Sequence, residues 1–300
     1  MNKSLFFHSS EIAPSELIVT EQGRIYHLDL HPSEIADDII IVGDQERVTQ
    51  VSKHFDKIEH KISKREFITH TGFFKGKKIT VLSTGIGTDN IDITLNELDA
   101  LVNIDLKTKK IKKEHRSLNI VRIGTSGSLQ EDIPVDSFVV SSHGLGFDGL
   151  LGFYKTDPEQ EEIMLKKAFL SQVNWPNEAN SPYFTIGNKT LIDHLGNGFT
   201  KGITATANGF YGPQGRSLRL KTRVPELNEQ LNQFNYNNLR ITNFEMETSA
   251  LYFLARSLGH NALTICALIG NRIQGKYSKD YQKIIDKTIN LVLQRITQKR

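Results

Sequence analysis

The chain has one cysteine, Cys266, in 300 residues. That excludes an intramolecular disulfide and any metal site built on several thiolates. Cys266 sits in the apolar run 262–269, where a buried, inert thiol is expected. Long hydrophobic runs are also missing: nothing approaches the ~20 residues a membrane-spanning helix needs. Leu5-Phe6-Phe7, followed at once by His8-Ser9-Ser10-Glu11, is too short for the apolar core of a signal peptide. The expectation is a cytoplasmic protein without a membrane partner. Charge of one sign is lacking too, with 37 basic against 34 acidic residues and a net charge of +3, whereas dedicated nucleic-acid binders carry a basic excess. The one dense basic cluster, Lys107 to Lys113, has no interleaved aromatics. It reads as a solvated hairpin or insertion and not as a nucleic-acid contact.

What is present is an ordinary globular composition, 38% hydrophobic and 24% charged. No repeat, Ser/Gly-rich linker or composition shift divides it. Residues 1–20 read as an N-terminal arm and 21–300 as one domain. Buried strands are expected at 39–42, 78–84, 118–123, 137–141, 199–207, 241–244 and 261–269, from short β-branched runs. Helices are expected at 89–103, 248–258 (closed by Gly259) and 279–298, from apolar residues at helical spacing. Strands alternating with helices imply an α/β fold, a single domain with a central mixed, largely parallel sheet flanked by helices.

One motif is set aside. Gly144-Leu145-Gly146-Phe147-Asp148-Gly149 has the form of a dinucleotide-binding turn, but no helical period follows it. More informative are three strand ends read as small-residue turns: Gly43-Asp44-Gln45-Glu46-Arg47, Ser83-Thr84-Gly85-Ile86-Gly87-Thr88 and Arg122-Ile123-Gly124-Thr125-Ser126-Gly127. Free amides in such turns, with Arg and Thr side chains, suit an oxyanion. An arginine inside a strand, as Arg122 is, must pair with a buried acid or clamp an anion. Asn243-Phe244-Glu245-Met246-Glu247-Thr248 places two acids where a strand yields to a helix, to cap it or to hold the vicinal hydroxyls of a sugar. Phe210-Tyr211-Gly212-Pro213-Gln214-Gly215-Arg216 is either a surface loop or a surface for stacking and reading a planar base.

Together and in this order, with Arg65-Glu66-Phe67 and Asn271-Arg272, these motifs resemble the nucleoside phosphorylase family of the uridine phosphorylase type, from about residue 25 to the C-terminus. The resemblance implies that Gly43, Arg47, Arg122 and Thr125 hold phosphate, with Arg65 reaching in from a neighbouring subunit. It implies that Glu247 binds the ribose hydroxyls with Met246 against the sugar, while His27 comes from the partner subunit. Gln214, Arg216 and Arg272 would serve the uracil, with Phe210 on its ring; Arg122, Gln214, Arg216 and Glu247 would be the catalytic set. No cofactor is implied beyond inorganic phosphate as co-substrate, although some members bind a monovalent cation between subunits, here matching Glu66, Ile86 and Asn90. Asn90 stands where serine is expected, and Gln45 where the first turn usually has proline. A homo-oligomer built from dimers with shared sites is implied.

The activity implied is phosphorolysis of uridine, or a close pyrimidine nucleoside, to uracil and ribose 1-phosphate. Purine enzymes of the family place an aspartate after the last core strand, where this chain reads Gly270-Asn271-Arg272. Hydrolytic relatives have less use for three phosphate-directed arginines. A purine nucleoside phosphorylase, a nucleosidase and, in another class, a non-catalytic nucleoside-binding protein are the alternatives.

Overall fold

The computed structural model describes residues 12–298. Of the expected arm, residues 1–11 lie outside that range; Leu17 is buried in the core and Val19 bridges Ile25, so residues 12–20 lie against the domain.

Along the chain, β1 (Asp38–Val42) leads to α1 (Gln45–Ser52), the hairpin β2 (Lys57–Lys64) and β3 (Phe67–Phe74), then β4 (Lys77–Ser83) and α2 (Thr88–Asn103). A short hairpin, β5 (Ile104–Asp105) and β6 (Lys110–Ile111), carries the lysine cluster, as expected. Next come β7 (Asn119–Ser128), β8 (Phe138–Gly146), α3 (Gln160–Gln172), β9 (Tyr183–Ile186), α4 (Lys189–Leu195) and β10 (Thr200–Thr206). The chain ends through α5 (Leu227–Gln233), β11 (Asn235–Tyr236), β12 (Leu239–Glu245), α6 (Thr248–Leu258), β13 (Asn261–Asn271), β14 (Lys276–Tyr277) and α7 (Tyr281–Ile296).

Continuous β-branched runs belong in strands covered on both faces. Accordingly Ile39, Ile40, Ile41 and Val42 of β1 are fully buried. β1 lies between β4 and β7 and parallel to both, and β13 runs parallel to β7 on the far side. The β2–β3 hairpin extends the sheet antiparallel beyond β4. β2 alternates exposed and half-buried residues, Lys57, Glu59, Lys61 and Ser63 facing water, which suits a sheet edge. On the other side β8 pairs antiparallel with β13, and β10 and β12 follow in parallel register.

The sheet also closes on itself. β12 folds back onto the end of β7, with Asn243 opposite Ser128 and Phe244 opposite Gly127, so β7, β13, β8, β10 and β12 form a ring. The expected mixed, flanked sheet is therefore found, with a closure the sequence reading lacked. Two strands are longer than expected. Gly124 to Gly127 is not a turn, because β7 runs through it to Ser128. Gly144 and Gly146 lie inside β8, where a side chain at Gly146 would overlap the Tyr183 ring, and the dinucleotide-like motif opens no helix.

Ile40 is surrounded on all sides. Ile40→Ala is expected to lower unfolding free energy by about 2–5 kcal/mol, read as an earlier urea midpoint at unchanged m-value.

Candidate active site

β1, β4, β7 and β13 run parallel, so their carboxyl ends collect on one side, where ligands bind in α/β sheets. A cavity of about 910 Å³ opens there. It is lined by Gly43, Arg47, Glu66, Ile86, Asn90, Arg122, Thr125, Phe210, Gln214, Arg216, Met246, Glu247 and Arg272 among the residues singled out in the sequence. His27 and Arg65 do not line it. His27 Nδ1 lies 2.6 Å from Glu97 Oε1, while Arg65 sits in the β2–β3 turn at φ +54°, its guanidinium 5.6 Å from the Tyr26 ring centre.

The first turn becomes the start of α1, with the Asp44 carboxylate accepting the Glu46 amide at 2.9 Å. The second keeps its predicted shape. Gly85 and Gly87 adopt φ of +76° and +103°, and a side chain at Gly85 would meet Asn90 Nδ2 at 2.6 Å.

Arg122 is the centre of the first charged group. Its guanidinium bonds Glu247 Oε2 and stands 3.2 Å from Glu245 Oε2, with the Cys266 sulfur 3.7 Å away. The sequence left open a buried salt bridge or an anion clamp, and the salt bridge is present. Burial alone would push the Arg122 pKa down, but the two carboxylates more than offset this and hold it up. Glu247 moves up from the usual carboxylate range: burial drives the shift, Glu245 adds repulsion and Arg122 opposes it. The other Glu247 oxygen accepts the Gly87 amide at 2.8 Å, at the start of α2. Glu245 performs the capping that the acidic pair suggested, accepting from the Glu247 amide at 2.9 Å and the Thr248 amide at 3.0 Å, and from Thr206 Oγ1 at 2.7 Å. Arg47, also buried, forms no ion pair with a carboxylate among the described residues and donates to the Ile123 carbonyl at 3.5 Å. Burial and the neighbouring Arg122 lower its pKa.

The second group is at the Phe210–Arg216 loop. The Arg216 guanidinium lies 3.8 Å from the Phe210 ring centre and donates to the Phe210 carbonyl at 2.6 Å and to Gln214 Oε1 at 2.5 Å. Burial, then repulsion from Arg272, pulls its pKa down to about 10. Arg272 Nη1 is buried without a hydrogen-bond partner. Among the described residues no acid forms an ion pair with either arginine: Asn271 stands at the end of β13, its amide spent on the Gln130 and Ile133 carbonyls. Cys266 is buried, as expected, and burial raises its pKa to about 11.

Sequence reasoning missed Ser126, Lys276 and Tyr277, which also line the cavity. Lys276 and Tyr277 arrive through the short antiparallel pairing of β14 with β13, which has no periodic signature. Ser126 was in a quoted motif, and its place follows only once β7 is seen to continue.

An α/β domain whose cavity joins a buried carboxylate–guanidinium cluster to a second, acid-free pair of arginines defines an enzyme built to hold an anion beside a polar organic ligand. The chain belongs to the phosphorylase superfamily, whose model matches residues 37–298. It is 30% identical over 270 residues to the uridine phosphorylase of Thermococcus kodakarensis, covering 88% of this chain and 83% of that one. It is also 30% identical over 235 residues to a DeoD-type purine nucleoside phosphorylase of Clostridium perfringens, covering 76% and 80%. Among solved structures, a Trypanosoma brucei nucleoside phosphorylase described as showing uridine phosphorylase activity superposes with a TM-score of 0.84 at 28% identity, covering 94% of this chain and 100% of that one.

A side chain at Gly124 would overlap the Arg122 guanidinium. Gly124→Ala is therefore expected to displace Arg122 and to cut kcat/KM by roughly 10²-fold or more, as a small misplacement of a positioning group does. Retained cooperative unfolding would show that the fold survives.

Proposed function

We propose that the chain is a uridine phosphorylase, a pentosyltransferase that transfers ribose from uridine, or a close pyrimidine nucleoside, to inorganic phosphate. The observation that carries this reading is that Arg47, Arg122 and Glu247 share one cavity with Gln214, Arg216 and Arg272. Gly43, Arg47 and Thr125 hold the phosphate together with Arg122, which keeps one face on its carboxylates. Arg65 completes that site from a neighbouring subunit, and His27 reaches the ribose of a neighbouring site in the same way. Both lie outside their own chain's cavity, which suits an oligomer of dimers. Glu247 takes the ribose 2′- and 3′-hydroxyls and Met246 packs on the sugar.

A phosphate oxygen attacks C1′ as the bond from C1′ to the base nitrogen breaks, and the bonding pair leaves with the base. Positive charge grows on the sugar, beside phosphate and the Glu247 carboxylate. Negative charge spreads to the base carbonyls, where Gln214, Arg216 and Arg272 donate hydrogen bonds. Phe210 supplies the stacking surface. The base end offers guanidinium donors and no acid to protonate a purine ring, which favours pyrimidine over the purine substrates named for some relatives. Phosphate is the co-substrate. A monovalent cation at Glu66, Ile86 and Asn90 is disfavoured, since Asn90 Nδ2 approaches the Ile86 carbonyl at 3.4 Å and competes for that oxygen. No helix among the described residues is long and apolar enough to cross a membrane, and a cytoplasmic enzyme of nucleoside catabolism and pyrimidine salvage fits this.

Uracil release from uridine is expected to require inorganic phosphate and to yield ribose 1-phosphate; equal release without phosphate would identify a nucleosidase, and binding without release a sensor. Arg122→Ala is expected to abolish the phosphate-dependent reaction, and undiminished turnover would refute its role. The pH profile is a separate check. Because Glu247 is raised and works ionised, kcat/KM falls as pH drops through a value above the ordinary carboxylate range. In Glu247→Gln, slow at every pH, that acid limb is expected to disappear.

A further inference from the structure

Residues 25–30 close into a tight turn, with the Ile25 amide on the Leu30 carbonyl at 3.0 Å and the Asp29 amide on the Ile25 carbonyl at 3.1 Å. The His27 and Leu28 amides inside that turn go to a side chain instead, Glu97 on α2. Glu97 Oε2 accepts the Leu28 amide at 2.8 Å, and Oε1 accepts the His27 amide at 3.0 Å. Backbone satisfaction accounts for those two bonds. A third has no such purpose: Glu97 Oε1 also lies 2.6 Å from Nδ1 of the His27 ring. An ionised carboxylate only accepts, so Nδ1 carries the ring proton. The neutral ring then keeps its lone pair on Nε2, which has no hydrogen-bond partner among the described residues. The Glu97 side chain is 13% exposed and that of His27 29%, so the pair is gripped at one end and open at the other.

The neighbours hold the ring in the same pose. Tyr26 meets it edge-on, with ring centres 4.9 Å apart. Lys64 Nζ donates to the Tyr26 carbonyl at 2.7 Å and lies 5.0 Å from the Tyr26 ring centre, which anchors the turn to β2.

We propose that Glu97 is a positioning residue for the reaction: it sets the tautomer and direction of His27 so that Nε2 accepts a hydrogen bond from the 5′-hydroxyl of the nucleoside. This rests on the reading of the chain as a uridine phosphorylase whose His27 serves a neighbouring subunit's site. On that reading Glu247 takes the 2′- and 3′-hydroxyls, and the 5′-hydroxyl is the one sugar hydroxyl of uridine left for His27. An imidazole whose Nδ1–H is held by a carboxylate presents a more basic Nε2 in a fixed direction. Released from Glu97, the ring turns and exchanges tautomers, and only some of those arrangements meet the hydroxyl. Glu97 does not line the cavity of its own chain. Its effect on turnover passes through His27 and is confined to substrates that carry a 5′-hydroxyl.

Uridine and 5′-deoxyuridine separate this role from turn capping, because a cap alone supports turnover of both alike. The parent is expected to favour uridine in kcat/KM, and His27→Ala to lose that preference. Glu97→Gln keeps an oxygen for the two amides but turns an N–H toward Nδ1. It is expected to lower the uridine to 5′-deoxyuridine ratio of kcat/KM roughly 10-fold, the worth of one hydrogen bond to a charged group. Glu97→Asp keeps the charge, draws it back from the ring, and is expected to lower the ratio in the same direction. The double variant His27→Ala/Glu97→Gln is expected to show the ratio of His27→Ala alone, since the two residues act as one unit. A ratio equal to the parent's in both Glu97 variants, whatever their absolute rates, overturns the role of Glu97 and leaves that of His27 standing. A His27→Ala ratio equal to the parent's overturns the placement of His27 and this inference with it. A parent that cleaves no uridine with phosphate overturns both together with the assigned function.

Discussion

The buried cluster of Arg122 with Glu247 and Glu245 is the constraint on which the rest of the site depends. A guanidinium taken out of water is costly unless its charge is matched and its N–H groups are used. Here one arginine in the middle of β7 meets two carboxylates from the β12–α6 junction. Those carboxylates are fixed in turn: Glu245 by the first amides of α6 and by Thr206 on β10, Glu247 by the Gly87 amide at the start of α2. One ion cluster therefore ties together β7, β10, β12, α2 and α6. The arrangement is tight enough that a side chain at position 124 would have to displace the Arg122 guanidinium. Hydrophobic residues of similar volume would pack as well, but they would leave nothing for a charged ligand to meet.

Unequal pairing divides the cavity. Arg122 has more negative charge beside it than it can neutralise, and Glu247 is accordingly harder to ionise than an ordinary glutamate. Arg47 has the reverse problem, lying close to another guanidinium without a carboxylate contact. On the proposed reading, an anion seated between them relieves Arg47, while Glu247 is left to face a ligand that donates hydrogen bonds. At Arg216 and Arg272 no acid among the described residues forms an ion pair, so on the proposed reading that end suits acceptors on which negative charge grows. The reaction needs an anion, then hydroxyls, then a base that gains electrons, and the charges are distributed to match.

Much of this was legible in the sequence where the signal is local. The run Ile39–Val42 could only be a strand covered on both faces, and α6 with its Gly259 cap was read at its full length, because periodicity and capping act over a few residues. What was lost depends on partners far along the chain. Gly124 to Gly127 has the composition of a turn, yet pairing with β13 along its whole length, and with β12 at its end, holds it extended. The polar strand β2 and the short helices α1, α4 and α5 lack the apolar periodicity that betrays buried elements; the helices are set by packing, with side-chain caps from Asp44 on α1 and Asn188 on α4. The site residues were found by motif, but the division of work between Glu245 and Glu247 was not, since two acids separated by one residue look alike until the backbone decides which of them caps α6.

The closure of the sheet supplies the reason the motifs fall where they do. In an open α/β sheet, Arg122 on β7 and Glu247 after β12 would lie several strands apart. Folding β12 back so that Phe244 faces Gly127 brings the end of β12 against the end of β7, and the buried ion cluster forms across that seam. The same closure carries Ile269–Asn271 of β13 to the wall of the cavity, followed by Arg272. On the proposed reading, selection at the base end rests on a single turn. Asn271 spends its amide on the Gln130 and Ile133 carbonyls and its oxygen on the Ile273 and Gln274 amides, which aims the chain so that Arg272 enters the cavity. A residue committed to that turn is not free to act as an acid toward the ligand. What the turn presents instead is a buried guanidinium with a spare donor, a group suited to a carbonyl oxygen gaining charge and unsuited to delivering a proton to a purine nitrogen.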